Sequence, residues 1–162
     1  MEKMQVDIWT NQDMQNYIDN CNYPRYKYPN GKQVFQGFQY FGPDFINPEK
    51  EFSERDRHVV ATKDVDVTGL CCVHYGFQDL SFPHYYIHIV EVRQDMKNRK
   101  IASSLIDKLR QASFLEKEIL VAHPISYTSE GYKYLKKTIE KQLSQGNFRL
   151  LDGRKKNLED YS

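Results

Sequence analysis

The stretch VEVRQDMKNRKIASSLIDKL, residues 90–109, decides the fold and raises its main question. An apolar run ends at Val92, a short cation-rich segment follows, and an amphipathic helix begins without proline or an acidic first turn. Lys97, Arg99 and Lys100 therefore crowd the positive end of a helix macrodipole, where cations are disfavoured. A negative group supplied from outside the chain would resolve this conflict.

The composition is that of an ordinary globular protein without a strong overall field. The 162 residues suit one hydrophobic core, and we expect residues 1–162 to form a single domain. The formal net charge of +1 argues against a general attraction to nucleic acid or membrane, so an anion site must be local. No apolar run is long enough to span a bilayer, and we expect a cytoplasmic protein.

The cysteines give no metal or disulfide signal. Cys21, Cys71 and Cys72 match neither a zinc-binding spacing nor a disulfide framework. Adjacent Cys71 and Cys72 would point to opposite faces of a strand, and we expect them to fill the core as small apolar side chains.

Hydrophobic periodicity predicts strands and helices in a definite order. Thr10 and Asp13 resemble a helix start, and apolar residues follow at helical spacing: Met14, Tyr17, Ile18 and Cys21. A hairpin is predicted from HVVATKD and DVTGLCCVHYGF, and further strands from HYYIHIVEV, EILVAH and NFRLLDG. Later helices are predicted from about Asn98 to Ala112 and over SEGYKYLKKTIEKQL. The order predicts an α/β (mixed α+β) fold, with helices flanking a mixed, mostly antiparallel sheet.

With the quoted stretch at a strand–helix junction, this order resembles the GNAT N-acetyltransferase family. The resemblance covers roughly residues 58–145. In that family a strand ending in Val leads to Gln/Arg-x-x-Gly-x-Gly/Ala at the start of a helix. Here KNRKIA, residues 97–102, follows Val92 after four residues, and this spacing fits the family pattern without a gap. The resemblance implies an acetyl-CoA-dependent N-acetyltransferase, without metal, whose sheet is splayed between its fourth and fifth strands.

The resemblance also implies where acetyl-CoA would bind. The pyrophosphate dianion would lie on the helix N-terminus, whose N–H groups and dipole favour anions. The pantetheine arm would pair with backbone groups of the preceding strand. The implied cofactor residues are Val90, Glu91, Val92, Lys97, Asn98, Arg99, Lys100, Ile101, Ala102 and Ser103. Lys100 stands where the family prefers Gly, which lets the backbone approach a ligand closely. The resemblance leaves open whether the Lys100 side chain contacts the phosphates or obstructs them.

His88 is the first candidate for the general base that deprotonates the amine, and Glu91 is the second. Histidine titrates near neutrality, and arylalkylamine acetyltransferases carry a histidine at the position of His88. Strict alternation puts Tyr86, His88, Val90 and Val92 on one strand face and Tyr85, Ile87, Ile89 and Glu91 on the other. A bulge, as in the family, would alter this pattern. A hydrogen-bonded strand histidine and a solvent-facing carboxylate are the structural alternatives; His74 and His84 would act only through a bound water.

A tyrosine on the helix after the fourth strand is the usual acid that protonates the leaving thiolate in the family. In TSEGYKYLKK the usual tyrosine register falls on Leu135, with Tyr134 one position earlier, whereas counting from the end of the strand favours Tyr132. Tyr134 and Tyr132 are therefore both candidates. Core packing is the alternative for each.

The acceptor would be a small-molecule or protein amine. The aromatic segment YPRYKYPNGKQVFQGFQYFGPDF suits a flat or cationic acceptor, and a loop covering the sheet is the alternative. A non-catalytic module that binds acyl-CoA or a protein partner on the same scaffold is a second hypothesis. A nucleic-acid-associated protein is a third, which the balanced charge disfavours. No membrane partner is expected, and a homodimer is compatible with the sequence.

Overall fold

The computed structural model describes residues 4–20, 37–41, 54–64, 66–97, 100–123 and 147–161. These residues form a six-stranded mixed sheet in the order β1-β2-β3-β4-β5-β6. The strands are β1 Met4–Trp9, β2 Arg57–Lys63, β3 Asp66–Tyr75, β4 Tyr85–Val92, β5 Leu120–Ala122 and β6 Phe148–Leu150. The described α-helices are α1 Asn11–Asn20 and α2 Ile101–Arg110. Strands β1 to β4 pair antiparallel, and β5 pairs parallel with both β4 and β6. The predicted mixed, mostly antiparallel sheet with flanking helices is confirmed.

Strand β1 is the element that sequence reasoning missed. It pairs along its whole length with β2, from Met4 opposite Lys63 to Trp9 opposite His58. Its signal was present, since Met4, Val6 and Ile8 alternate with polar residues as a half-buried strand requires. The helix predicted over SEGYKYLKKTIEKQL lies outside the described residues.

Helix α1 begins where the capping signal predicts. The Asp13 N–H donates to the Thr10 hydroxyl at 3.0 Å, and the Thr10 N–H donates to the Asp13 carboxylate at 2.9 Å. This reciprocal pair satisfies two donors that the helix itself leaves without acceptors. Met14 is then fully buried, with Tyr17 and Ile18 partly buried beside it.

The two faces of the sheet carry separate apolar clusters. Alternation on β3 sends Cys71 into the cluster under α2 and Cys72 into the cluster under α1, and both thiols are fully buried. Burial raises the pKa of the Cys71 thiol to about 12. The prediction that these cysteines are core residues on opposite faces is confirmed.

Helix α2 packs against the sheet through Ile101, Leu105, Ile106 and Leu109. A glycine on β3 permits the close approach of its first turn. An added Cβ at Gly69 would lie 2.7 Å from Cγ2 of Ile101, closer than real carbon atoms approach. Gly69 lies opposite Val92 on β4, so this contact fixes the helix N-terminus beside the end of that strand. Helix α2 is shorter than the predicted span, and Ala112 is buried just beyond it.

Among the described residues, neither helix combines the length and apolar character needed to cross a membrane.

Candidate functional site

A β-bulge in the middle of β4 decides which side chains share a face. Ile87 lies opposite Val73 and Ile89 lies opposite Cys72, so His88 is the extra residue in the ladder. Before the bulge, Ile87 joins the cluster under α2; after it, Val90 and Val92 pack there while Ile89 joins the cluster under α1. The strict alternation predicted for β4 is therefore wrong beyond Ile87.

The pairing of β4 with β5 ends at the same place. Its parallel register covers Tyr85 to Ile87 on β4 against Leu120 to Ala122 on β5, whereas β4 continues to Val92. His88 is the first β4 residue beyond that register, and its side chain is half-buried. The splay that the resemblance implies between the strand ending at Val92 and the strand EILVAH stays a prediction.

The start of α2 combines a left-handed backbone with a first turn that carries no acidic residue. Lys100, the residue before the helix, has φ 60° and ψ 22°, a left-handed conformation that normally favours glycine. The Lys100 side chain makes no capping hydrogen bond, and the first turn of α2 carries no acidic residue. The N–H groups of that turn lie at the positive end of the helix dipole and are therefore available to a ligand. Lys100 is exposed, and Ala102 and Ser103 in the first turn are half-buried. Lys97 ends a short 3-10 turn before the helix, while Asn98 and Arg99 lie outside the described residues.

Glu91 is not the solvent-facing carboxylate expected as its structural alternative. Only 7% of it is exposed, and its oxygens accept backbone N–H groups from Gln39 at 2.6 Å, Tyr40 at 3.1 Å and Phe41 at 2.8 Å. Such charge-assisted bonds are stronger than neutral ones, so Glu91 clamps residues 39–41 onto the α1 face of the sheet.

The clamped segment is the described part of the aromatic stretch expected to contact the acceptor. The C=O of Gly37 accepts the Gln94 N–H at 3.0 Å, while Phe38 and Phe41 pack in the cluster under α1. Tyr40 is more than half exposed. In residues 37–41, two of the three aromatic rings therefore cover the sheet.

Three histidines from neighbouring strands lie in a row on the α1 face. The centroid of His74 on β3 is 6.4 Å from that of His58 on β2 and 4.9 Å from that of His88 on β4. His58 Nε2 lies 2.6 Å from Asn11 Oδ1, which assigns the proton to Nε2, and Asn11 donates to the buried Asp56 carboxylate at 3.4 Å. Burial, followed by the neighbouring Arg57 guanidinium, lowers the pKa of His58 to about 4. Burial, followed by His88 and His58, lowers the pKa of His74 to about 3. The row is therefore neutral inward of His88 at physiological pH.

His84, considered as a base acting through water, has a structural role. Its Nε2 accepts the Gln78 N–H at 3.1 Å, which leaves the proton on Nδ1 to be donated to the Phe82 carbonyl at 3.0 Å. Both ring nitrogens are therefore used to fix the β3–β4 loop. Within the described ranges, no group of three His, Cys, Asp or Glu side chains is arranged to hold a metal ion.

Solved structures of acetyltransferases share this architecture. One is an aminoglycoside acetyltransferase from an uncultured soil metagenomic sample in complex with sisomicin: 13% identity, TM-score 0.51, covering 88% of this chain and 90% of that chain. A second is a predicted acetyltransferase with acetyl-CoA from Clostridium acetobutylicum: 10% identity, TM-score 0.51, covering 84% and 88%. A third is AAC(6')-Iy in complex with the bisubstrate analogue CoA-S-monomethyl-acetylneamine: 13% identity, TM-score 0.50, covering 94% and 98%. The chain has the GNAT fold. No family model and no curated protein sequence matches it.

The sequence resemblance aligns Lys100 with a Gly of the family motif, and the backbone of Lys100 has the left-handed conformation that glycine adopts most readily. The sequence raised obstruction by Lys100 as an open alternative. Its backbone is in the left-handed region, and the residue is exposed to solvent. Tyr132 and Tyr134, the two candidate acids, lie outside the described residues.

Sequence reasoning missed the residues that continue the histidine row away from the half-buried His88 or pack on its ring in this GNAT-fold protein. His58 and Asn11 were not singled out, and neither was Phe77, whose ring lies 4.9 Å from that of His88. They come from β2, α1 and the β3–β4 loop, so no local spacing connects them. Only the strand register brings His74 opposite Tyr86, beside His88.

Proposed function

We propose that this protein is an N-acetyltransferase that moves an acetyl group from acetyl-CoA directly to an amine. The observation that carries the proposal is the left-handed backbone of Lys100 at the start of α2, beside the part of β4 that runs past its pairing with β5. A glycine-like turn at a helix N-terminus is an anion site, and the part of β4 beyond the β5 register is where a long thioester arm would pair.

The proposed cofactor site has two parts. The pyrophosphate would be held by residues 97–103, where Lys97, Arg99 and Lys100 supply charge and the first turn of α2 supplies N–H groups. The arm would pair with the backbone of Val90 to Val92, the part of β4 that runs past the β4–β5 register. Acetyl-CoA supplies the activated acyl group as a thioester. The chain's own residues orient it and move the protons.

The proposed transfer needs one base and one acid. The ammonium form of the acceptor loses a proton to His88, and the amine nitrogen attacks the thioester carbonyl. A C–N bond forms, the C–S bond breaks, and the CoA thiolate takes a proton from Tyr132 or Tyr134. The nitrogen of a primary amine releases a second proton to solvent as the amide forms and keeps the third. His88 is the better base than Glu91 because it is half-buried just beyond the β4–β5 register, whereas the Glu91 carboxylate accepts three backbone N–H groups.

Charge reversal at Lys100 tests the cofactor site. Lys100→Glu places a carboxylate beside the pyrophosphate and should weaken acetyl-CoA binding, measured by isothermal titration, by at least about tenfold. Lys117→Glu is the matched control, because Lys117 is also an exposed lysine in the left-handed region, at φ 67°, but does not begin a helix. Equal affinity in both variants, or no binding by folded wild-type protein, would overturn the proposed site.

Substitution of His88 tests the catalytic assignment. His88→Ala should lower turnover by about a hundredfold or more and flatten its rise with pH, while acetyl-CoA affinity stays near that of the wild type. An unchanged pH–rate profile would remove His88 from the mechanism. Acetyl-CoA binding without transfer to any amine would instead favour the non-catalytic module.

A further inference from the structure

Strands β4 and β5 each have a histidine just past the end of their pairing. The last pair of the parallel register joins Ile87 to Ala122. The next residues are His88 on β4 and His123 after the end of β5, and both are half-buried. Neighbouring paired strands lie about 4.8 Å apart, so the two histidines start from adjacent positions of the backbone.

The two histidine side chains lie on the same face of the sheet. Ile87 and Ala122 pack in the cluster under α2, so the residues next to them in each strand project to the opposite face. The ring of Tyr86 on that opposite face contacts both histidines. Its centroid is 5.7 Å from that of His88 and 6.0 Å from that of His123. One aromatic ring therefore has an imidazole from each strand beside it.

Pro124 explains why β5 ends beside His123. A proline has no N–H to donate to a strand ladder, and it disfavours a helical backbone at the residue before it. The sequence therefore stops the pairing after Ala122 and favours an extended backbone at His123. Extended backbone continues the alternation of β5, which directs the His123 ring toward Tyr86.

The nitrogens of the His123 ring are available to a ligand. Both ring nitrogens of His84 are used to hold the β3–β4 loop, and Nε2 of His58 bonds to Asn11. Within the described ranges, by contrast, the contact of His123 is its edge-to-face packing with Tyr86, and no hydrogen bond uses its ring nitrogens. A neutral imidazole carries one N–H donor, so His123 can donate to a group that binds where the β4–β5 pairing ends.

The proposed acetyl transfer brings a carbonyl group to this place. In that proposal the thioester arm pairs with Val90 to Val92, and the attacked carbonyl carbon lies beside His88. When the amine nitrogen attacks, the π electrons of the carbonyl move to its oxygen and form an oxyanion, which a positioned donor stabilises. When the oxyanion collapses, the C=O bond forms again and the C–S bond breaks, so the donor keeps its own proton throughout.

The charge on His88 favours a neutral form of His123 during this step. His88 carries the proton taken from the amine while the oxyanion forms. Its positive charge disfavours a second imidazolium on the adjacent strand. His123 therefore suits the role of a neutral hydrogen-bond donor rather than that of an acid.

We infer that the N–H of the neutral His123 ring donates a hydrogen bond to the thioester carbonyl oxygen of acetyl-CoA and stabilises the oxyanion formed during acetyl transfer. The inference rests on the proposed function and adds a catalytic residue to the base and the acid named there.

The test measures the C=O stretch of bound acetyl-CoA, isotope-labelled at the thioester carbonyl, by difference infrared spectroscopy. A hydrogen bond to the oxygen weakens the C=O bond, so the stretch in the wild-type complex should lie at a lower frequency than in free acetyl-CoA. His123→Leu keeps similar bulk without a donor and should lose most of this shift, whereas His123→Gln retains an N–H donor and should keep more of it. Isothermal titration should show acetyl-CoA affinity within about tenfold of the wild type in both variants, because one neutral hydrogen bond is removed.

Two further variants separate the donor from its surroundings. Phe77→Leu alters the packing on Tyr86 and His88 without removing a donor, and His88→Ala removes the proposed base. Both variants should keep the wild-type shift. Loss of the shift in His88→Ala, with retention in His123→Leu, would assign the donor to His88 and overturn the inference.

The remaining outcomes distinguish this inference from the proposed function. Acetyl-CoA binding with an unshifted C=O stretch in the wild type, or with a shift that survives in His123→Leu, overturns the role of His123 and leaves the cofactor site in place. Absence of acetyl-CoA binding by the folded wild-type protein overturns both proposals.

Discussion

Glu91 stabilises a segment that is fifty residues away in sequence. Its buried carboxylate accepts N–H groups from Gln39, Tyr40 and Phe41. Glu91→Gln replaces one oxygen by an N–H₂ donor, which would face these donors. We expect the free energy of unfolding to fall by about 2–3 kcal/mol, and hydrogen exchange at the amides of residues 39–41 to accelerate.

Glu118→Gln is the control for this experiment, because Glu118 faces Arg55 at 3.4 Å in a surface ion pair. Such pairs contribute about 0–1 kcal/mol. Equal losses in the two variants would mean that the clamp contributes no more than an exposed charge.

Lys100 and Glu91 show which features of single residues can be predicted from the sequence. Lys100 was singled out because the features that mark it lie close to it in the sequence. They are its spacing from Val92 and the absence of acidic residues in the first turn of the helix. Glu91 was a candidate base with a solvent-facing carboxylate as the alternative, and its buried contacts were missed because its three donors come from residues 39–41. Contacts of that sequence separation leave no periodic signal, so the sequence indicated the helix start at Lys100 and not the buried contacts of Glu91.

At the level of elements, the bulge in β4 decides the composition of the site. Without it, Val90 and Val92 would share the face of His88, as simple alternation predicts. With it, Ile89 lies on that face, while the valines pack against α2. Residues 85–92 predict a strand correctly, but an extra residue in the ladder follows from the register with β3, between Cys72 and Val73.

The contact between β3 and α2 gives an element-level prediction. Gly69→Ala would force its new Cβ against Cγ2 of Ile101, which should lower the free energy of unfolding by about 1–3 kcal/mol. Because the strain acts at the first turn of α2, acetyl-CoA affinity should fall as well. Both effects are measured by urea unfolding and isothermal titration.

A double variant isolates the cause. Adding Ile101→Ala removes the clashing methyl group, so the two substitutions should cost less together than the sum of their separate effects. Gly153→Ala is the control, because an added Cβ there meets nothing within 4 Å. Strict additivity would show that the Gly69 effect arises elsewhere than at Ile101.

For the whole molecule, sequence patterns predicted the class of fold, the hairpin of β2 and β3, and the strand–helix junction. They omitted β1, although its alternation was readable, and they gave β5 six residues where three are paired. The histidine row belongs to neither group. It exists only because the register of three strands aligns His58, His74 and His88 on one face.

That row gives the whole protein a dependence of stability on pH. In the folded state the pKa of His58 is lowered to about 4 and that of His74 to about 3, mainly by burial, whereas both titrate near 6.5 when unfolded. Between pH 6.5 and 4 the unfolded chain therefore binds more protons, and the free energy of unfolding falls as the pH falls. Each histidine contributes a slope of up to about 1.4 kcal/mol per pH unit. Burial raises the pKa of Asp56, which opposes this loss just above pH 3.8.

Urea unfolding at pH 7, 6, 5 and 4.5 should show this loss in the wild type. The slope should become shallower by about one histidine's contribution in His58→Gln and again in the double variant with His74→Gln, even if both variants are less stable at pH 7. His123→Gln is the control, because His123 is half-buried at the far edge of Tyr86, outside the row. A slope in the double variant equal to that of the wild type would mean that His58 and His74 are not the groups whose protonation drives acid unfolding.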